Sequence, residues 1–488
     1  MTAPLWTVDE ICAHTNGVMA KATDIASPVD HITIDSRMCR KGSLFVALPG
    51  ATADGHQFLA KVAGADASAA IVTKPDNAVE LTQIIVPDCL TALTDLAVAG
   101  RERHKGAMVA ITGSVGKTGT KEMLAHILRA FGQSHANEGN FNNHIGLPLS
   151  LAALPKDSQF AIQEIGMNHA GEIATLTRIA RPDVAMITRI AAVHSGHFES
   201  IDAIADAKAE IFEGMQGGTA VLNIDDPFFD RLYRAAKAAG IKRIITFGNH
   251  GEAEFCLLSA RQDDDGMKIE ADLSGFPVSF RLGMSGHHWA MNALGVLACV
   301  HALRQDAVAA TDHLADFGDI AGRGARHSGI FNDKAITVID DSYNASPASM
   351  LAALEPFLTD ARHCDIMVVS DMLELGTHSA VAHDEIVSII ARIAPRHVIA
   401  IGGEFARAFA HATPPCDVIF AENPAIASDL LARFVKTDDT IFIKGSKGSG
   451  AWRVTNALLD AMTDKTPTAS VTDKSAFKQS TEGKIYVT

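Results

Sequence analysis

Short apolar runs recur along the chain, most followed by a stretch whose apolar positions repeat with the period of a helix. Between residues 1 and 87 the runs 44–48, 69–72 and 83–86 alternate with Gly- and Asp-rich turns, ending at Val86, Pro87 and Asp88. Asp88 is placed to cap a helix that reaches about His104. The pattern then becomes strand followed by helix: a run at 107–112, a Gly-rich turn, a helix over 118–131, and strand runs at 160–165, 183–188, 219–223 and 243–247. Strands spaced by helices predict a mostly parallel sheet. Residues 254–282 interrupt it with two or three strands around Asp263, Asp264, Asp265 and Gly266. The acidic triplet reads as a hairpin turn, because the remaining ligands of a calcium loop are missing. A helix over 286–304 closes the region. After Gly322 strand runs return at 335–340, 365–370, 396–401, 417–420 and 440–444, the signature of a second doubly wound unit. From Asp464 onward the chain is polar and aperiodic, which predicts a disordered tail.

The expected fold is α/β in three domains. These are a small mixed α/β N-terminal domain (1–87), a central parallel-sheet, P-loop ATPase-like domain (88–317) and a C-terminal Rossmann-like doubly wound domain (318–463), with the tail at 464–488. A length of 488 residues suits three domains. With 42 basic and 57 acidic residues the net charge is −15, which argues against a general polyanion binder such as a nucleic-acid protein. The seven cysteines include no Cys-x-x-Cys pair, so neither a disulfide framework nor a thiolate zinc site is expected. The first residues lack a basic, apolar leader, and no run reaches the ~18 apolar residues of a membrane span. The expectation is a cytoplasmic protein with no membrane insertion.

Chemistry concentrates first at 110–120, where a strand gives way to a helix. Gly113 and Gly116 let backbone amides close around phosphates, and the helix start adds positive potential. Lys117 is placed to reach the β and γ phosphates, and the Thr118 hydroxyl to ligate Mg²⁺. The full Gly-x-x-x-x-Gly-Lys-Ser/Thr spacing is not met, because its first position is Ile111. Glu164 ends a strand run, where parallel sheets present catalytic groups; alone it reads equally as a ligand or a structural acid. His194 follows the next run and, taken alone, reads as a surface residue. Lys208 falls on the apolar stripe of 201–212 while Asp202, Asp206 and Glu210 fall off it. An inward lysine must snorkel, pair or be chemically altered, and by itself snorkelling leads.

Together these residues resemble the Mur ligases, ATP-dependent amide-forming enzymes of peptidoglycan synthesis. Thr112-Gly-Ser-Val-Gly-Lys-Thr118 is similar to their nucleotide loop. Gly139-Asn-Phe-Asn-Asn-His-Ile-Gly-Leu-Pro148 and Glu164-Ile-Gly-Met-Asn-His-Ala-Gly-Glu-Ile173 resemble their central signatures. Asp35-Ser-Arg37, read alone as a polar turn, is similar to their uridine-diphosphate-binding domain. Asp340-Asp-Ser-Tyr-Asn-Ala-Ser-Pro347 and Ser370-Asp-Met-Leu-Glu-Leu-Gly376 resemble the members that take a dipeptide amine. The Asp-Asn-Pro-Arg signature of the third-residue-adding members is absent. Three positions depart from the family: Gly119 stands where Ser or Thr is usual, Ser346 where Asn is usual, and Ser195-Gly196 replace Leu-Glu after His194.

The resemblance implies a set of partners and roles. The partners are ATP, UDP-N-acetylmuramoyl-tripeptide and D-alanyl-D-alanine, with two Mg²⁺ ions and a CO₂-derived carbamate on Lys208. Lys117, Glu164, His194 and Lys208 are implied as catalytic, and Thr118, Glu164, His194 and Lys208 as metal ligands. Nucleotide binding is implied for Gly113, Ser114, Val115, Gly116, Lys117, Thr118, Gly119, Asn292, Arg323, Asp341 and Tyr343. Substrate binding is implied for Asp35, Ser36, Arg37, Asn142, Asn143 and Asn168. His287 and His288 read equally as packing residues, and Lys444-Gly-Ser446 equally as an ordinary turn. Two alternatives stand beside this reading: a related ATP-dependent amide ligase such as folylpolyglutamate synthase or another Mur ligase, disfavoured by 340–347 and 370–376, and a nucleotide-binding regulatory or transport ATPase, disfavoured by the inward Lys208 and the uridine-type domain.

Overall fold

The computed structural model describes residues 4–21, 28–50, 53–139, 141–192, 198–263, 266–318, 320–359 and 363–463. The expectation of a disordered tail over 464–488 lies outside the described residues. Three sheets organise the chain, with five, nine and six strands.

The first sheet runs in the order Val18–Lys21, Gln83–Ile85, Ala69–Val72, Ser43–Val46, His31–Thr33, parallel except for Val18–Lys21. Asp88 caps the helix Cys89–Arg103 as its side chain accepts the Thr91 amide at 2.7 Å. This helix joins the first two units: Cys89, Ala92, Leu93, Leu96 and Ala99 enter the first core, while Ala97 enters the second. At the same junction Trp6 donates its indole N–H to the Ala152 carbonyl at 2.8 Å, and the Arg103 guanidinium lies 3.6 Å from the Trp6 ring. The N-terminal sheet is thereby fixed to the central one.

The central sheet places the site. Its order is Pro277–Leu282, Gly266–Leu273, Phe255–Asp263, Arg243–Gly248, Thr219–Asn223, Val184–Ile187, Ala107–Thr112, Phe160–Glu164, Ser134–Ala136. In the strand Ala107–Thr112, Val109 and Ile111 face one core while Met108 and Ala110 face the other. Burial on both faces explains why parallel strands read as continuous apolar runs rather than alternating ones. The expected hairpin is present, with Asp263 opposite Gly266 and the Asp263 carboxylate bound by Arg281 at 2.7 and 2.8 Å. Residues 264 and 265 lie outside the described residues.

The third sheet runs Ala325–Phe331, Lys334–Asp341, Asp439–Lys444, Ile366–Ser370, His397–Ile401, Asp417–Ala421, with only the first pair antiparallel. Apolar runs did not predict four strands: Val18–Lys21, His31–Thr33, Ser134–Ala136 and Ala325–Phe331. All four lie at sheet edges, where one side of the strand backbone is left unpaired.

His135, on the edge strand Ser134–Ala136, bonds the Ser150 carbonyl through Nε2 at 3.1 Å, and burial lowers its pKa from 6.5 to about 4. Between these values the unfolded chain binds a proton that the folded chain refuses, so stability is lost as pH falls from 6.5 towards 4. Melting temperature is expected to decline across that window, and to decline less in His135→Gln.

Candidate active site

The strand Ala107–Thr112 delivers the chain to the loop 113–116, where Gly113 has φ +149° and Gly116 φ +84°. A β-carbon at Gly113 would stand 2.0 Å from the Thr188 hydroxyl oxygen, so glycine is required there. Thr188 donates that hydroxyl to the Val115 carbonyl at 2.6 Å, and Ser114 donates to the Ala191 carbonyl at 3.0 Å. Both bonds brace the loop from the neighbouring strand end. The helix Lys117–Leu128 begins at Gly116 with no side-chain cap, leaving its first amides available to an anion. Lys117 Nζ donates to the Gly113 carbonyl at 2.8 Å across the loop.

Glu164 ends the adjacent strand and is 1 % exposed. Its two carboxylate oxygens are held separately: Oε2 accepts the Thr118 hydroxyl at 2.7 Å, and Oε1 accepts the Asn142 amide at 2.6 Å. Among the described residues no group of three His, Cys, Asp or Glu side chains forms a metal cluster. His194 lies outside the described residues, as do Ser195 and Gly196.

Lys208 sits on the helix Ile201–Ala209 and is 1 % exposed, while Asp202 and Asp206 point outward to Arg231 at 2.5 and 2.6 Å. The two sets fall on the opposite helix faces that the apolar periodicity of 201–212 predicts. Burial drives the Lys208 pKa well below the usual lysine value and Lys117 adds to the effect, against the pull of Glu164, Glu210 and Glu172. Burial lowers Lys117 too; Glu164 opposes the shift and Arg323 reinforces it. Lys117 and Lys208 thus both lie beside Glu164, with Arg323 acting on Lys117, a gathering of basic side chains in an otherwise acidic protein.

The third sheet supplies the opposite wall. Arg323 lies over the Tyr343 ring at 4.4 Å, and Tyr343 is anchored by its amide to the Gly322 carbonyl at 3.0 Å. Asp341 pairs with Lys444 at 2.7 Å; burial raises its pKa, opposed by Lys444 and Arg323. Asn292 stands against the loop, since a β-carbon at Gly116 would lie 3.1 Å from its Oδ1. The His288 pKa is lowered to about 4 by burial, then by Lys444 and His287, consistent with a neutral packing side chain. Ser446 accepts the Leu373 amide and donates to the Ala345 carbonyl, so it joins three segments of this wall.

One cleft of about 2740 Å³ runs between the three sheets, lined by the phosphate loop, Glu164, Asn292, Arg323, Asp341 and Tyr343. Asp35, Arg37, Asn142, Asn143 and Asn168 line it as well, whereas Ser36 is buried and Lys208 lies behind the lining. Arg37 grips Asp35 through Nε at 3.0 Å and Nη2 at 2.7 Å, a preformed acid–base fork. The Asn143 side chain accepts the Ile145 and Gly146 amides and so also starts the helix Gly146–Ala152. Sequence reasoning missed Lys121, Asn137 and Thr188. Of these only Lys121 carried a signal, a lysine one turn beyond Lys117 on the buried helix face.

Gly119 has a partner far along the chain. A β-carbon there would stand 2.5 Å from the Trp289 ring, which packs over the first turn of the phosphate-loop helix. Gly119→Ser is therefore expected to destabilise the protein by about 1–3 kcal/mol through overpacking. Trp289→Leu should relieve most of that loss in the double variant, as read by thermal melting. Ser346 starts the helix Pro347–Thr359, exchanging bonds with Ser349 at 2.8 and 3.3 Å, so the usual Asn is replaced by another capping residue.

Three family descriptions match in order: Mur ligase family, catalytic domain over 28–107; Mur ligase middle domain over 111–300; and Mur ligase, glutamate ligase domain over 322–447. The UDP-N-acetylmuramoyl-tripeptide--D-alanyl-D-alanine ligase of Rickettsia prowazekii is 32% identical over 434 residues, 88% of this chain and 96% of the relative. The chain belongs to the Mur ligase family. As a Mur ligase it is an ATP-dependent acid–amino-acid ligase. The crystal structure of MurF from Acinetobacter baumannii superposes with a TM-score of 0.80 at 29% identity, covering 93% of this chain and 99% of that one. The MurF ligase of Thermotoga maritima in complex with ADP superposes at 0.75 with 25% identity, covering 89% of this chain and 98% of that one. No described helix is long and apolar enough to cross a membrane.

Proposed function

We propose that this ligase joins D-alanyl-D-alanine to UDP-N-acetylmuramoyl-tripeptide, acting on the cytoplasmic side of peptidoglycan synthesis. The observation that carries the reading is the likeness to the Rickettsia ligase over nearly its whole length, together with segments 340–347 and 370–376. A carboxylate is a poor electrophile and must be activated before an amine can displace oxygen. ATP transfers its γ-phosphoryl group to the tripeptide carboxylate, giving an acyl phosphate and ADP. The dipeptide amine then attacks the acyl carbon, phosphate leaves, and the amine loses a proton.

This chain's share is positioning and charge neutralisation. The amides of 113–119 and Lys117 receive the polyphosphate, and Asn292, Arg323, Asp341 and Tyr343 enclose the nucleotide. Asp35, Ser36 and Arg37 serve the uridine end, and Asn142, Asn143 and Asn168 the tripeptide. The Thr118 hydroxyl and Glu164 carboxylate, 2.7 Å apart, are hard oxygen donors of the kind Mg²⁺ takes. With His194 and Lys208 they would hold two Mg²⁺ ions, whose contribution is to offset charge on the phosphates and the substrate carboxylate. The lowered pKa of Lys208 favours the neutral amine, which adds CO₂ to give a carbamate and a released proton. The product is an anionic oxygen ligand where a cation stood.

The test is ADP release by the pure protein given UDP-N-acetylmuramoyl-tripeptide, with and without D-alanyl-D-alanine. Sustained ADP release is expected only with both. Release that ignores the dipeptide would reject the assignment.

A further inference from the structure

Lys121 lies one turn beyond Lys117 on the helix Lys117–Leu128 and has no exposed surface. A buried ammonium is tolerated only when its donors are matched. Its Nζ donates to the carbonyls of Asn137 at 2.5 Å and Gly139 at 3.2 Å and pairs with Glu122 at 2.8 Å, three acceptors for three N–H bonds. Two of them belong to the loop that leaves the strand Ser134–Ala136 and carries Asn142.

That loop orients Glu164. The Asn137 side chain accepts the Glu164 amide at 2.8 Å and donates to the Phe141 carbonyl at 2.8 Å. Asn142, the next residue, binds Glu164 Oε1, while Thr118 binds Oε2. Backbone and carboxylate of Glu164 are thus set from one helix, by Thr118 directly and by Asn137 and Asn142 through the segment that Lys121 clamps.

We propose that Lys121 is a positioning residue: by clamping 137–139 it fixes the orientation of the Glu164 carboxylate, and with it the affinity of the Thr118–Glu164 pair for a divalent cation. The cation half of this statement rests on the function proposed above; the orientation half does not. A lysine serving stability alone would lower melting temperature when replaced and leave cation affinity untouched.

The test uses Lys121→Met, close in shape and without donors, and Asn137→Asp, which keeps an acceptor for the Glu164 amide but loses the donor to Phe141. Amide hydrogen exchange in the ligand-free protein is expected to quicken at least tenfold over 137–142 and at Glu164 in both variants, with 113–119 unchanged. Calorimetric titration of Mg²⁺ into protein saturated with ADP is expected to show at least tenfold weaker Mg²⁺ binding, with metal-free ADP affinity within twofold of the parent. Folded Lys121→Met with parental exchange at Glu164 and parental Mg²⁺ affinity overturns the proposal. If Lys121→Met does not fold, Lys121→Gln, one atom shorter and with two N–H bonds for three acceptors, decides by the same criteria. If the parent itself binds no ADP or Mg²⁺, the nucleotide reading fails, and the exchange rates at 137–142 and Glu164 alone support or overturn the clamp.

Discussion

Lys208→Arg is expected to lose turnover by about 10³-fold, the scale seen when a pre-placed electrostatic group is removed from a reacting centre. Arginine keeps the positive charge and much of the length, so a snorkelling or packing role would tolerate it. It does not form a stable carbamate, and its guanidinium remains charged in the position where burial and Lys117 already make a lysine ammonium unfavourable. The variant would place an additional fixed cation beside Glu164 and supply no oxygen ligand. Lys208→Ala should be equally slow, yet a short carboxylic acid should restore part of its activity by occupying the space of the carbamate. Removing CO₂ and bicarbonate should slow the native enzyme reversibly. Carbon-13 NMR of protein equilibrated with labelled bicarbonate should show one carbamate resonance that disappears in both variants. Near-native turnover in Lys208→Arg would exclude the carbamate.

Lys117→Met is expected to fall by a similar factor, about 10³-fold, because phosphoryl transfer depends almost wholly on placed charge. Methionine preserves most of the side-chain volume while removing the ammonium that Gly113 holds across the loop. The defect should appear in kcat for acyl-phosphate formation more than in the KM for tripeptide, since no substrate-side contact is removed. A second consequence follows from electrostatics. Lys117 is one of the groups that depress the Lys208 pKa, so its loss raises that pKa and lowers the fraction of neutral amine. The carbamate resonance should therefore weaken in Lys117→Met at a fixed pH and recover as pH is raised. An unchanged resonance would separate the two lysines.

What the sequence disclosed, and what it did not, follows from the range of the contacts involved. The strand Ala107–Thr112, the glycine turn and the helix Lys117–Leu128 are local, and the apolar run with its Gly punctuation announces all three. Lys208 was legible for the same reason: a stripe position in a short helix states its burial without tertiary information. Lys121 offers the same signal, but its meaning depends on acceptors at Asn137 and Gly139, which only the fold brings to it. The Asp341–Lys444 pair and the seat of Trp289 on Gly119 join residues more than a hundred positions apart, and no periodicity encodes them. Three of the edge strands escaped because three or four residues carry too few apolar side chains to stand out, whereas in Ala325–Phe331 the polar Arg326, His327 and Ser328 break the apolar run. The family resemblance proposed Asp35, Asn142 and Asn168, and all three line the cleft, though spacing alone did not single them out.

The identity of the amine is measured directly by one competition. The protein, ATP, Mg²⁺ and UDP-N-acetylmuramoyl-tripeptide are incubated with equal concentrations of D-alanyl-D-alanine, D-alanine, L-lysine and meso-diaminopimelate, and the nucleotide-linked products are weighed by mass spectrometry. The tripeptide is expected to gain the dipeptide almost exclusively, with one ADP formed per amide bond. A dominant product carrying a single amino acid would contradict it.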